Sequence, residues 1–301
     1  MESSHTAVYR QNNIWRWIIT ACGLLMIIIT LAIGAFLCYK GVGTFTTYGH
    51  SVGEFLFSSQ WAPVDNAQGG GKVGAAIFIF GSIITCTLAL LISTPFSIAS
   101  AIFMTEISPG IGRKILQPAV EIFVGIPSVV YGWIGLTILV PFIKDLFDLK
   151  FGFSVLAAGI VLAVMIYPTI TSLSADAIRS IPKSFRQASY GLGATRWQTI
   201  SQVVIPASKS GLMTAIVLGL ARAFGEALAV AMVIGKMKAF PESLLSPTTN
   251  LTAAIASDMG GAMEGSEYNI ALWSMALLLF IISLVFIFII HYISAKGGHK
   301  A

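Results

Sequence analysis

Long apolar runs separated by short polar segments dominate the chain. Trp17 to Tyr39, Val73 to Thr105, Phe151 to Ala175 and Tyr268 to Ala295 carry no formal charge and run 23, 33, 25 and 28 residues. Ile115 to Ile143 contains only Glu121, and Ser210 to Gly235 contains only Arg222 and Glu226. A helix needs about 20 apolar residues to cross the hydrocarbon core. Continuous runs of that length satisfy their backbone in lipid only as helices. The pattern predicts an all-α polytopic membrane protein with six transmembrane helices. Val73–Thr105 is too long for one upright span, so it tilts, kinks at Pro95 or extends into water. The first run exceeds the apolar core of a signal peptide, about 7–15 residues, and no A-x-A site follows it.

The predicted organisation is a cytoplasmic N-terminal tail over 1–16 and a transmembrane domain over 17–301. Outer loops fall at 40–72, 144–150 and 236–269, and an inner loop at 176–209. The side assignment comes from the 18 Lys and Arg residues. Arg10, Arg16, Arg113, Lys114, Arg179, Lys183, Arg186, Arg196, Lys209, Lys296 and Lys300 fall on one side. Lys40, Lys72, Lys144, Lys150, Lys236 and Lys238 fall on the other, and Arg222 lies within a span. Basic residues collect on the cytoplasmic side, which places both termini there.

Composition agrees with this reading. Hydrophobic residues make up 56% of the chain and charged residues 10%, against about 25% charged in ordinary globular domains. That excludes a disordered chain. The net charge of +5 follows from basic cytoplasmic loops and requires no nucleic acid partner. Cys22, Cys38 and Cys86 lie in apolar runs without CxxC spacing and read as small buried residues. His5, His50, His291 and His299 are scattered and show no metal spacing. The outer segment 40–72 carries Phe45, Tyr48, Phe55, Phe57 and Trp61, suited to the membrane interface or to an external partner. It ends in Gly69-Gly70-Gly71-Lys72, which fails the GxxxxGK[ST] pattern because Asn66 and Val73 occupy key positions.

The inner loop holds the most specific motif. Ile178, Ile181 and Phe185 precede Gly193 at helical spacing, and Trp197, Ile200, Val203 and Val204 follow it. Glycine stops a helix through a left-handed cap, so a basic, amphipathic helix–glycine turn–helix is expected. It suits either lipid head groups or the groove of a cytoplasmic partner. Gln187-Ala188-Ser189, three residues, Gly193, nine residues and Val203-x-Ile205-Pro206 resemble the E-A-A-x3-G-x9-I-x-L-P loop of bacterial ABC-importer permeases. Gln187 replaces the acidic residue and Ser189 the second Ala, while Ala188, Gly193 and Pro206 are unchanged. The resemblance implies that Gln187, Ala188, Ser189, Gly193 and Pro206 couple the permease to a separate ATPase.

Arg222 and Glu226 lie near the middle of the fifth run. A central Arg costs about 2.5–3.5 kcal/mol on insertion scales. At i and i+4 on one helix the two would share a face. They then form either a self-neutralising structural pair or a pair facing a transport pathway. Arg presents a planar fork suited to a tetrahedral oxyanion. Glu226 would repel a fully deprotonated anion and accept a proton from phosphate. Pro127 removes a helical hydrogen bond, and Ser128 beside it offers a hydroxyl to the pathway; Pro95 and Pro168 are further candidate kinks.

The run from Gly219 to Gly235 is similar to G-x-x-R-A-x-G-E-T-x-A-V-x-M-V-x-G of the phosphate-specific branch, with Ala227 at the Thr position. Glu121 to Gly132 resembles that branch's E-x-x-x-x-I-P-S-V-V-Y-G. The resemblance is closest to the PstC-type permeases of bacterial phosphate ABC importers. It implies a permease subunit of the cytoplasmic (inner) membrane without a cofactor or metal of its own. Implied partners are a second, PstA-type permease, a homodimeric ATPase carrying ATP and Mg, an extracytoplasmic phosphate-binding protein, phosphate and membrane lipid. Two alternatives are a secondary anion transporter, which typically shows internal repeats, and an intramembrane hydrolase. The chain has no clear repeat, and neither GxSxG nor HExxH.

Overall fold

A computed structural model describes the backbone of residues 2–298 and the side chains of residues 15–293. The side chains of His5, Arg10, Lys296, His299 and Lys300 lie outside the described residues. Among the described residues six helices are long and apolar enough to cross a membrane: Trp15–Thr46, Ala76–Ile107, Ser128–Leu146, Val155–Arg179, Arg196–Phe224 and Glu267–Ile293. They are called the first to sixth spans below. The first helix begins at Glu2, so helix already covers most of the predicted tail. A two-stranded antiparallel hairpin, Trp61–Ala62 with Lys72–Val73, is the one sheet among the described residues.

The fourth span is the hub. Leu162, Ile166 and Ile170 are fully enclosed, packed between the second and fifth spans. The first span stands apart. Its helix touches the sixth span near its end, where the Ser274 hydroxyl donates to the Gly41 carbonyl at 2.5 Å, and its remaining apolar surface faces outward. Cys22 and Cys38 are therefore exposed, and only Cys86 is buried as expected.

Prolines explain most departures from regular helix. Among the described residues four wide π-helical segments occur: Phe103–Ile107, Gly112–Leu116, Gly135–Leu139 and Thr199–Val204. Each ends two residues before a proline: Pro109, Pro118, Pro141 and Pro206 respectively. A proline ring crowds the carbonyl four residues back and cannot donate to it. Those carbonyls belong to Thr105, Lys114, Thr137 and Gln202, each inside a widened segment, so the wider turn relieves the clash. Pro95 and Pro168 sit within regular helix instead.

Two predicted spans are not single helices. The run 115–143 breaks at Ile126-Pro127, where both residues are extended with ψ of 128° and 138°. Proline disfavours helical geometry in the residue before it. The Tyr131 hydroxyl donates to the Phe123 carbonyl at 2.8 Å and ties the two halves together. Glu121 thus falls outside the third span, exposed and accepting from Gln117 at 3.0 Å. The run 210–235 ends as helix at Phe224, and a separate half-helix, Leu228–Val233, follows. The fifth span makes up the length at its other end, beginning at Arg196 inside the predicted inner loop.

The outer segments pack more than their polarity suggests. Within 236–269, Thr248, Thr249, Asn250 and Thr252 are buried and lead into the helix Leu251–Asp258. Asn250 caps that helix by accepting from Ala253 N–H at 2.8 Å. Gly81 lets the second span approach this backbone, since a Cβ there would overlap the Thr249 carbonyl. In 40–72, Phe45, Phe55 and Trp61 join Phe78 and Leu251 in a satellite core, while Phe57 stays exposed. The glycine run does hold an anion, supplied by the chain itself. The buried Glu267 carboxylate accepts from Gly70 N–H at 3.0 Å, Gly71 N–H at 2.9 Å and Val64 N–H at 2.8 Å, and meets His50 Nε2 at 2.8 Å.

Gly81→Ala is expected to destabilise the protein by about 1–3 kcal/mol through overpacking. Gly53→Ala, with open space around it, serves as the control. Thermal unfolding in detergent checks this, with a lower Tm for the first variant only. Glu267→Gln turns an amide donor toward backbone N–H groups. Limited proteolysis should then cut residues 48–72 faster than in the wild type.

Candidate translocation site and coupling surface

Gly225 lies where the helix of the fifth span ends, and the break falls inside the apolar run 210–235. Arg222 occupies the last turn of the span, and Glu226 lies between it and Leu228–Val233. Cations suit helix C-termini and anions suit N-termini, so each charge complements the half-helix it adjoins. The predicted i,i+4 pairing does not form, because Gly225 ends the helix between them. The Arg222 Nη1 donates to the Thr169 hydroxyl at 2.6 Å. Glu226 Oε1 accepts from Ala229 N–H at 3.2 Å. Unpaired backbone in the membrane is expensive, and Thr252 meets that need by donating to the Glu226 carbonyl at 2.7 Å.

The break faces the third span. A Cβ on Gly132 would meet the Ala229 backbone and Met232 Sδ at 2.7 and 2.9 Å, so only glycine permits this approach of the two half-helices. Ser128 opens the third span, half-buried and without a hydrogen bond from its hydroxyl among the described residues. A cavity of about 540 Å³ adjoins this seam, lined in part by Val129, Leu228, Met232 and Lys236. Further out, Lys238 pairs with Asp258 at 2.8 Å. Burial opposes the Lys238 charge, but Asp258 and Tyr268 outweigh it and hold its ammonium above the usual lysine range.

The inner loop forms the expected helix–turn–helix with shifted boundaries. The fourth span ends at Arg179, Ile178 staying within it, and a separate helix runs Lys183–Gly191. Gly193 has φ +80°. Its N–H donates to Tyr190 at 3.0 Å and that of Ala194 to Ser189 at 3.2 Å, the paired bonds of a left-handed glycine cap. Thr195 then starts the next helix through a capping box with Gln198. That helix continues into the fifth span through the widened turn ahead of Pro206.

The motif residues divide by direction. Gln187 and Ala188 are exposed, and Phe185, Tyr190, Leu192 and Trp197 make an exposed apolar surface beside them. Ser189 points inward, its hydroxyl 2.9 Å from that of Thr199, and fastens one helix of the knob to the other. Gly193 and Pro206 shape the backbone. The knob is clamped to the end of the second span: Arg186 Nη2 meets Glu106 Oε1 at 2.5 Å and donates to Ile178 O at 3.0 Å. Arg196 donates to the Glu106 and Ile107 carbonyls.

Sequence reasoning missed Thr169, Thr252 and Glu106. Glu106 carried a usable signal as one of few acidic residues on a basic face. Thr169 and Thr252 carried none, since each reaches its partner from a distant segment.

Comparison with known proteins agrees with this architecture. Residues 93–297 match the model of the binding-protein-dependent transport system inner membrane component family. The chain is 54% identical over 281 residues to the probable ABC transporter permease protein YqgH of Bacillus subtilis, covering 93% of this chain and 90% of that one. It is 35% identical over 283 residues to the phosphate transport system permease protein PstC of Haemophilus influenzae, covering 88% and 87%. A bacterial ABC transporter involved in import of the acidic polysaccharide alginate shares the fold, with TM-score 0.58, 18% identity, and 93% and 96% covered. An inward-facing MetNI methionine ABC transporter gives TM-score 0.55 at 19% identity, covering 73% and 96%. With its spans, its glycine-capped inner knob and these matches taken together, the chain belongs to the inner-membrane permease components of binding-protein-dependent transport systems.

Proposed function

We propose that this chain is the phosphate-translocating permease subunit of an ATP-driven importer, with Arg222 and Glu226 at the anion site. The observation that carries this reading is the broken fifth span, which holds Arg222 and Glu226 on adjoining half-helix ends in the membrane zone. One Arg222 nitrogen is fixed by Thr169. The rest of the fork remains available for a tetrahedral oxyanion. Glu226 uses Oε1 on Ala229, which leaves Oε2 to accept a proton-bearing oxygen. Phosphate near neutral pH still carries such a proton and sulfate does not. Ser128 adds a neutral hydroxyl beside the same seam. Relatives named as phosphate transport permeases, at 35% and 36% identity, support the substrate.

In this reading a second, PstA-type permease completes the pathway. An extracytoplasmic phosphate-binding protein loads it, and a homodimeric ATPase supplies ATP and Mg chemistry from the cytoplasm. Both termini and the 176–209 knob then face the cytoplasm of a bacterial inner membrane. Gln187, Ala188 and the apolar surface beside them dock to the ATPase. Ser189, Gly193 and Pro206 keep the knob rigid. The ion pair at Glu106 and the continuous helix from Arg196 to Phe224 carry its motion into the second and fifth spans.

Arg222→Gln is expected to abolish phosphate uptake in membranes containing normal amounts of the protein. Uptake retained at the wild-type rate would remove Arg222 from the site. Glu106→Gln breaks the clamp on the knob. Uptake per ATP hydrolysed by the assembled transporter in proteoliposomes should fall several-fold, more than the ATPase rate itself; a proportional fall in both would count against a coupling role.

A further inference from the structure

Lys236 lies three residues beyond the end of the half-helix Leu228–Val233. It has φ +55°, and Gly235 before it has φ +98°. A left-handed conformation strains a residue with a Cβ, and such strain persists only where the surroundings impose it. Here they do. The Thr248 N–H donates to the Ile234 carbonyl at 3.1 Å, and the Met237 N–H donates to the Thr248 carbonyl at 3.2 Å. These bonds pin the backbone on both sides of Gly235-Lys236. Pro247 and Phe153 crowd Gly235.

The pinned backbone places Lys236 at the wall of the 540 Å³ cavity. Its companions there include Val129, Leu136, Phe153, Leu228 and Met232, and it is the only ionisable side chain in the described lining. The cavity reaches Val129 and Leu228, which adjoin Ser128 and lie two residues from Glu226. Lys238 is held by Asp258 and Tyr268. Lys236 makes no hydrogen bond or ion pair among the described residues. Lys236 is exposed, and its ammonium is the one formal charge on an otherwise mostly apolar cleft wall; a cleft lined by one sign of charge raises the local concentration of the opposite ion.

We propose that Lys236 is the entry residue of the anion pathway: it draws the oxyanion into the outer cavity and hands it toward Arg222. This rests on the phosphate reading above and adds a second cation to it, at the mouth rather than at the break.

The test uses the complete transporter in proteoliposomes with its purified binding protein, inorganic phosphate as the probe, and three variants. Lys236→Asn removes the charge with a residue that tolerates the left-handed region. Lys236→Gly removes both charge and strain, and Lys236→Arg keeps the charge. Maximal uptake should fall by roughly tenfold in the Asn and Gly variants, the lower end of what a focusing charge contributes to local concentration. The Arg variant should stay near the wild type. The binding-protein concentration for half-maximal uptake should not change in any variant. Wild-type uptake with Asn or Gly would overturn the proposal. So would an equal loss in Arg, which would mark a packing role, or a raised half-maximal binding-protein concentration, which would mark a docking lysine. A wild-type transporter that takes up no phosphate would instead bring down the functional reading itself. Loss with Lys236→Asn beside normal uptake with Arg222→Gln would leave the entry residue standing and remove the inner site.

Discussion

The structure depends on a helix that stops within an apolar run and must still satisfy its backbone. When the fifth span ends at Gly225, its last carbonyls and the first N–H groups of Leu228–Val233 lose their helical partners. Lipid offers none, and each unsatisfied group costs several kcal/mol. The chain answers with its own polar groups. Thr252 reaches the Glu226 carbonyl, and the Glu226 carboxylate reaches Ala229 N–H. This explains why the polar outer segment folds inward. Thr252 reaches the break only because Thr248 to Asn250 are buried against the second span, where Gly81 leaves room for them. The charges at the break, the cavity beside it and the approach of Gly132 to Ala229 all follow from that closure.

Proline sets where the spans bend and widen. The Pro127 break lies beside the half-helix after Glu226, so two interrupted elements face each other across Gly132 and Ala229. Elsewhere the chain absorbs proline by widening one turn, as it does before Pro206. The helix that starts in the inner-loop knob therefore stays unbroken from Arg196 up to Phe224, and the Arg186–Glu106 pair ties the same knob to the second span. At the opposite end the Gly70 and Gly71 backbone donors, with that of Val64, are filled by Glu267, which ties this loop to the start of the sixth span.

The sequence by itself determined the class of fold and the addresses of its unusual residues. Runs of apolar residues leave no alternative to helices in lipid, and the spacing from Gln187 through Gly193 to Pro206 located the knob because a glycine cap and a proline act on their own neighbours. The rarity of charge in the runs singled out Arg222 and Glu226. Partnership was not legible. Periodicity alone continues a helix through Gly225, so the two charges seemed to pair with each other, whereas the tertiary structure gives them Thr169 and Ala229. It likewise turned polar outer loops into buried packing, took Cys22 and Cys38 out of the core, and gave the Gly70 and Gly71 donors to a carboxylate nearly two hundred residues away. The physical reason is the range of the forces involved. Helix formation, capping and proline kinks are decided within a few residues, so the sequence states them; the satisfaction of buried polar groups and the packing of helices are decided by whichever distant segments the fold brings within hydrogen-bond distance.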